Sequence, residues 1–368
     1  MHLGDPFLSL PIAATTGVIA VVGVGACLRK LERRLGERTS ILMGTMAAFV
    51  FAAQMVNFPV GPGVSGHLLG GVLAAVMLGP WAGAGVITAV LIVQCLLFQD
   101  GGLLALGANA LNMALIGAVG GYAIYAPVRR MIGGRAGVLM GAMVAAWVSV
   151  VVSAGACAIE LAASGRMSQL PLLLSWMALV HVAVGLGEAV ITGLVIRFVL
   201  ITRPDLLYEP EKNTSSRFGN WGRVLAVGIG LALMVAVFLG PMAARWAPPD
   251  GLEFVTDKLR LAPHETARMI SSPFPDYQVP GLHLSLGITT ALAGVIGTLA
   301  VFGVSLGLSK AFQSRPECRR GSLGDDLAPR GEGALLTEKF APSPQPSPMR
   351  GEGVGEEALV PEAPAHVA

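Results

Sequence analysis

Charge is scarce in this 368-residue chain: Lys, Arg, Asp and Glu together make up 13%, against roughly 25% in soluble domains. Aromatic residues are scarcer still, at 6%, while 54% of all residues are hydrophobic. Such a chain has too few polar side chains to cover a water-facing surface, which excludes a soluble globular protein and makes lipid its main solvent. The net charge of +2 says little, because 16 of the 48 charged residues lie in the last 60 positions, Ser309 to Ala368. Cysteine is also sparse. Cys27, Cys95, Cys157 and Cys318 are isolated in sequence, which suggests neither a disulfide framework nor a thiolate metal site. A GxxxxGK[ST] phosphate loop is absent, so ATP-driven work would need another subunit, and HExxH and paired CxxC motifs are absent too. No basic residue precedes the first apolar run near Pro11. A cleavable signal peptide is therefore not expected, and Met1 is expected to be the mature N-terminus.

What the chain does contain is apolar length. From Thr39 to Val128 Asp100 is the only charged side chain, room for several spans of about 20 residues. Runs of spanning character predict helices at Pro11–Leu28, Ile41–Phe58, Leu68–Leu78, Trp81–Phe98, Leu103–Tyr125, Gly137–Ala162, Pro171–Leu200, Val224–Gly240 and Leu284–Leu308. Leu68 to Phe98 is too long for one span, and Gly79-Pro80 is where a helix would break. Basic clusters provide an independent check. Arg29, Lys30, Arg33, Arg34 and Arg38 follow the first helix, Arg129, Arg130 and Arg135 the fifth, Arg203, Lys212, Arg217 and Arg223 the seventh, and Lys310, Arg315, Arg319 and Arg320 the ninth. All fall on one side only if the break at Pro80 is real and the N-terminus is extracytoplasmic. The opposite connections, Asn57–His67, Gln99–Gly102 and Ser164–Leu170, hold one basic residue, Arg166. The expected fold is an all-α polytopic membrane protein. A bundle of about seven helices (1–201) is followed by a cytoplasmic linker (202–223) and a two-helix transmembrane hairpin (224–308) with an external loop. A Pro-, Gly- and Glu-rich tail (309–368), in which RGEG occurs twice, is expected to be disordered.

Candidate chemistry is concentrated in a few residues. A chain beginning Met1-His2 offers a metal its terminal amine, the His2 amide nitrogen and the His2 imidazole. These donors close a five- and a six-membered chelate ring near one plane, a field suited to Ni(II) or Cu(II), with Co(II) also accommodated. The turn-rich connection Asn57 to His67 lies on the same side as Met1, and irregular backbone at a membrane face is tolerated where it lines an enclosed cavity. There His67 either completes a four-nitrogen square or orders a re-entrant loop. His181 and Glu188, seven residues apart on one helix face, are intramembrane ionisable groups. At about 10 Å apart they are too distant to bind one ion as a helical pair, so a supporting or helix-packing role is expected. Asn109, Asn112, Gln54 and Gln94 are expected to make interhelical hydrogen bonds. A rival signal is Gly63-Val64-Ser65-Gly66, the GxSG form found around the serine of rhomboid-type intramembrane proteases, with His181 as the base.

Taken in order, MHLGDPFLSLP at the start, NFPVGPGVSGHLLGG at Asn57–Gly71, LGPWAG at Leu78–Gly83 and LLFQDGGLLALGANALNM at Leu96–Met113 resemble one family. It is the substrate-binding membrane subunit (S component, CbiM/NikM type) of energy-coupling factor (ECF) transporters for cobalt and nickel. PPDGLE at Pro248–Glu253 and SPFPDYQVPG at Ser272–Gly281 resemble the small two-helix accessory subunit of the same systems, here fused. The resemblance implies that the N-terminal segment dips into the bundle and that the metal is held by the Met1 amine, the His2 amide nitrogen and the imidazoles of His2 and His67. It also implies a non-enzymatic transporter subunit in the cell membrane, with a cytoplasmic C-terminal tail. Ni2+ or Co2+ is then the substrate, with no permanently bound cofactor, and the partners are a transmembrane coupling (T) subunit and separate ATPases, with no nucleic acid. The chain departs from the family at Leu3-Gly4-Asp5-Pro6, where members usually have isoleucine third followed by Pro-Asp-Gly or Met-Glu-Gly. The acid and turn formers remain in a different order.

Overall fold

The computed structural model describes residues 2–32, 35–208, 221–246, 248–261, 263, 271–281 and 284–313, all within one compact unit that ends at Ser322. Met1, most of the expected linker and nearly all of the expected tail lie outside them.

Helices follow the apolar runs and stop at Gly and Pro. After a short 3-10 turn at Asp5–Phe7 come α1 (Leu10–Glu32) and α2 (Glu37–Gln54). The connection toward His67 is a small antiparallel hairpin, β1 (Phe58–Gly61) and β2 (Val64–Gly66), with Phe58 opposite Gly66 and Pro59 opposite Ser65. Pro62-Gly63 makes its turn, and Gly63 takes the positive φ of 73° that the second central residue of such a turn needs. The eight residues of α3 (Gly71–Leu78) rise only about 12 Å, too little to cross a bilayer core of about 30 Å. Gly79 ends this helix at φ 89° and Pro80 opens α4 (Pro80–Val93), the predicted break. The last turn of α4 widens into a π-helical segment, Gln94–Phe98. Next, α5 (Leu106–Asn109) runs through a second π segment, Ala110–Gly120, into α6 (Gly121–Ile132). The long pair α7 (Gly134–Ala163) and α8 (Leu170–Thr202) follows. The fused part has α9 (Trp221–Met234), α10 (Gly240–Trp246), a short α11 (Gly251–Lys258) and α12 (Leu286–Gln313).

Among the described residues, seven helical stretches are long and apolar enough to cross a membrane, and the fold is an all-α polytopic membrane bundle. The sequence placed a helix at Ile41–Phe58; the structure ends it at Gln54, because Phe58 to Gly66 pairs as a hairpin. Small residues permit close packing. Ala47, Ala74, Ala84, Ala145 and Ala146 are fully buried, as expected where dispersion between backbones, not the hydrophobic effect, holds helices together. Lipid-facing surfaces are apolar instead: Val21 on α1 is 75% exposed and Leu179 on α8 is 65% exposed.

The bundle has two chemically distinct ends. One gathers basic loops: Lys30 Nζ lies 4.1 Å from the centroid of the Trp81 ring, the Arg38 guanidinium donates to the Asp205 carbonyl, and Arg203 makes two 2.9 Å bonds to the Asp205 carboxylate. The other end gathers the N-terminal segment, the hairpin, the loop after α4 and the loops of the fused part. Its helices lie on α2, where Gly44 gives room to the Phe302 ring of α12.

Candidate metal site

The N-terminal segment is pinned before it becomes α1. Leu3 and Leu8 are each 1% exposed. Asn109 reads the backbone of Leu3 in both directions: the Leu3 amide donates to Asn109 Oδ1 at 2.8 Å and Asn109 Nδ2 donates to the Leu3 carbonyl at 3.1 Å. The Gly102 amide donates to that same carbonyl at 2.9 Å. Asp5 Oδ1 accepts from the amides of Leu104 and Ala105 at 2.7 and 3.2 Å, so the acid still anchors the segment despite its altered order of residues. Farther along, the Ser9 amide donates to Ser164 Oγ and the Arg166 guanidinium to the Phe7 carbonyl. His2 is thereby held with Nδ1 3.2 Å from Asp100 Oδ1.

His67 is fixed from the opposite wall. Its Nδ1 lies 3.0 Å from the Leu68 carbonyl, so Nδ1 carries the proton and Nε2 the lone pair. The backbone after it is gripped by Glu188 of α8, whose two oxygens accept from the amides of Leu69 at 2.6 Å and Gly70 at 2.9 Å. Gln54 Nε2 donates to the Leu69 carbonyl, and Gln94 Nε2 donates to Gln54 Oε1. The result is that the His2 and His67 rings stack, with centroids 5.0 Å apart and planes within 13°. Burial lowers the pKa of each imidazole to about 3, so both rings are neutral, the form that binds metals. Both line a cavity of about 570 Å3, together with the carboxylates of Asp5, Asp100, Asp250, Glu253 and Asp276; no Lys or Arg lines it among the described residues. Among those residues no three His, Cys, Asp or Glu side chains converge on one point. Side chains alone therefore do not complete a metal's coordination shell there.

The fused part supplies much of the cover. Asp250 caps α11 in a capping box with Glu253, and its Oδ2 stands 3.8 Å from His67 Nε2. Ser65 Oγ donates to the Pro248 carbonyl at 2.6 Å, and the Ser65 amide to the Pro249 carbonyl at 2.9 Å. Gly251 packs tightly against α8: a Cβ there would lie 2.9 Å from Val180 Cγ1 and 3.0 Å from His181 Cε1, so a side chain would push these groups aside. His181, whose Nδ1 donates to the Met177 carbonyl, is thus the floor on which the PDGLE turn rests. Tyr277 donates its hydroxyl to Asp100 Oδ2 at 2.5 Å, and its ring stacks on Phe98 at 4.8 Å. Burial raises the Asp100 pKa, and the Tyr277 hydrogen bond opposes that shift.

Of the residues singled out in the sequence, His2 and His67 come together, whereas His181 and Glu188 serve different neighbours. Met1 lies outside the described residues. No hydrogen bond joins Ser65 to His181, and each is committed elsewhere, so the protease reading has no support. Asn112 meets Glu160 of α7, as expected of an interhelical pair, whereas Asn109 turns out to hold the N-terminal segment. Asp100, Asp250 and Tyr277 were missed. Asp100 had a signal, as the lone charge in 90 residues, Thr39 to Val128. The Asn109 clamp yields a prediction: Asn109→Leu removes both bonds to Leu3 and weakens Ni2+ binding by about 10- to 100-fold, read by calorimetric titration, with thermal stability showing that the bundle persists.

A profile of the cobalt uptake substrate-specific transmembrane region, CbiM, matches residues 2–206, and one of the PDGLE domain matches residues 222–314. A putative fused nickel transport protein, NikMN, of Archaeoglobus fulgidus is 33% identical over 315 residues, covering 84% of this chain and 98% of that protein. A fused nickel transport protein, NikMN, of Rhodobacter capsulatus is 32% identical over 350 residues, with 84% and 98% covered. A crystal structure of a truncated transition metal transporter is similar at 32% identity and a TM-score of 0.50, covering 55% of this chain and 99% of that one. The chain therefore belongs to the CbiM family of cobalt uptake substrate-specific transmembrane regions, with a PDGLE domain following it.

Proposed function

We propose that this protein is the substrate-binding permease component of an ECF-type transporter and takes up Ni2+ or Co2+ across the cell membrane. The observation that carries the reading is the pairing of two buried, neutral imidazoles from residues 2 and 67, stacked at 5.0 Å on the wall of a carboxylate-lined cavity. The names of the similar proteins, nickel and cobalt transport proteins, agree with it. The ion is held in a planar field of the Met1 amine, the His2 amide nitrogen and the two imidazoles. Such a field rejects ions that demand oxygen or octahedral ligands. His181 and Glu188 stand behind it as supports of the PDGLE turn and of the His67 loop.

Capture occurs from outside, with the N-terminus extracytoplasmic and the C-terminal tail cytoplasmic, a reading the basic clusters support. The unit 1–201 binds the metal, 202–223 links, and 224–308 closes over the site and aids loading. Release inward needs the plane to be broken, which is the work of a coupling T subunit and its ATPases; this chain is not itself an enzyme. The test is uptake of radioactive Ni2+ by cells that lack their own importer and express this chain with candidate T and ATPase subunits. Uptake is expected with all three and is expected to vanish with His67→Ala; accumulation unaffected by that substitution would refute the reading.

A further inference from the structure

Glu160 of α7 is an acid of the bundle that does not line the metal cavity. It is 7% exposed, and its Oε2 accepts from Asn112 Nδ2 at 2.8 Å. Its other oxygen, Oε1, is buried without a hydrogen-bond partner, and so is the other end of the amide, Asn112 Oδ1. The Asn112 carbonyl meanwhile takes the Ser153 hydroxyl at 2.7 Å. Among the described residues no cation pairs with the acid. Arg166, just beyond α7, donates to the Phe7 carbonyl instead. Tyr125 and Arg129 of α6 lie beside Gly137 and Gly141, at the other end of α7. On α8, His181 is turned to Met177 and Glu188 to Leu69 and Gly70. The sequences of α3, the π segment Ala110–Gly120 and the Met167–Gln169 turn hold no titratable side chain. Cys157, one turn back on α7, is the titratable neighbour.

An ionised carboxylate in such a place, with one neutral donor and no cation, is a charge that low-dielectric surroundings strongly disfavour. The same group as a neutral acid is satisfied. A carboxylic acid and a primary amide exchange two hydrogen bonds, N–H to acid oxygen and O–H to amide oxygen. The first is the 2.8 Å bond. The second would join Glu160 Oε1 to Asn112 Oδ1, the two atoms left without partners. We infer that Glu160 is a proton-binding site: its carboxyl holds a proton at neutral pH and donates it to Asn112 Oδ1. The pair then pins α7 to the π segment by two bonds, three residues from Asn109, whose side chain holds Leu3. Loss of the proton in alkali puts two acceptors and a charge in place of the second bond, so the pin weakens as pH rises. The inference does not rest on the proposed function.

The test is infrared spectroscopy of the full chain in lipid nanodiscs at neutral pH. Wild type minus Glu160→Gln is expected to show the carbonyl band of a protonated carboxyl, shifted in D2O; carboxylate bands in its place overturn the inference. Asn112→Leu leaves the acid present and is expected to move its band to higher frequency, which is read even where Glu160→Gln does not fold. An unmoved band overturns the pairing. Glutamine forms the same two bonds with Asn112, so Glu160→Gln is expected to melt with the wild type at neutral pH and above it in alkali. An alkaline gap no larger than the neutral one overturns the inference. Spectra in sodium chloride and in choline chloride are expected to agree; an acid band seen only without sodium assigns the two oxygens to a bound cation and overturns it too.

Discussion

Acetylation of the Met1 amine is expected to abolish tight metal binding without unfolding the protein. The acetyl group converts the amine into an amide and takes away the donor that closes the five-membered ring. The two imidazoles are left without it. Donors linked in one chelate gain about 10²- to 10⁴-fold over independent ones, and a loss of that size in Ni2+ affinity is expected. The fold has no reason to change, because Leu3, Asp5 and Leu8 hold the segment downstream of the modified amine. Calorimetric titration together with an unchanged melting temperature checks both halves, and undiminished affinity would remove the terminal amine from the site.

Glu188→Ala is expected to have the largest effect of any substitution far from the metal in sequence. Its carboxylate is the acceptor for the amides of Leu69 and Gly70, in a buried place. Removing it leaves two buried donors unsatisfied, at about 1–3 kcal/mol each, and frees the backbone that aims His67. Hydrogen exchange at Leu69 and Gly70 should accelerate and metal binding should be lost with it. Glu188→Gln keeps one carbonyl acceptor and should fall between the two. If Glu188→Ala binds Ni2+ like the parent chain, the His67 loop does not depend on α8.

The sequence made the membrane architecture legible because lipid imposes a simple rule: long apolar runs become helices, and the Gly79-Pro80 break was visible both as a helix breaker and as the only way to keep the basic clusters on one side. It foretold the hairpin less well. Phe58 looks like the end of an apolar helix, and only pairing with Gly66 across the Pro62-Gly63 turn makes it a strand. That the rings of His2 and His67 meet was legible through chelate chemistry and through the resemblance. Asp250 and Tyr277 were not, because each acts across 177 residues or more from its partner in the site, and no local pattern encodes such a contact. Asp100 stood out as an isolated charge, but its partners, His2 and Tyr277, lie far from it in sequence on either side.

That reach has a consequence for the order in which the site is made. Tyr277 meets Asp100 across a separation of 177 residues, and Pro248 meets Ser65 across 183. A chain still on the ribosome at the end of α8 already holds both imidazoles but lacks their cover. Until α11 and the Tyr277 loop have been synthesised and docked, His2 and His67 stand open to whatever ions are present. Segments made well after both rings are therefore the ones that turn an exposed pair of rings into a guarded site.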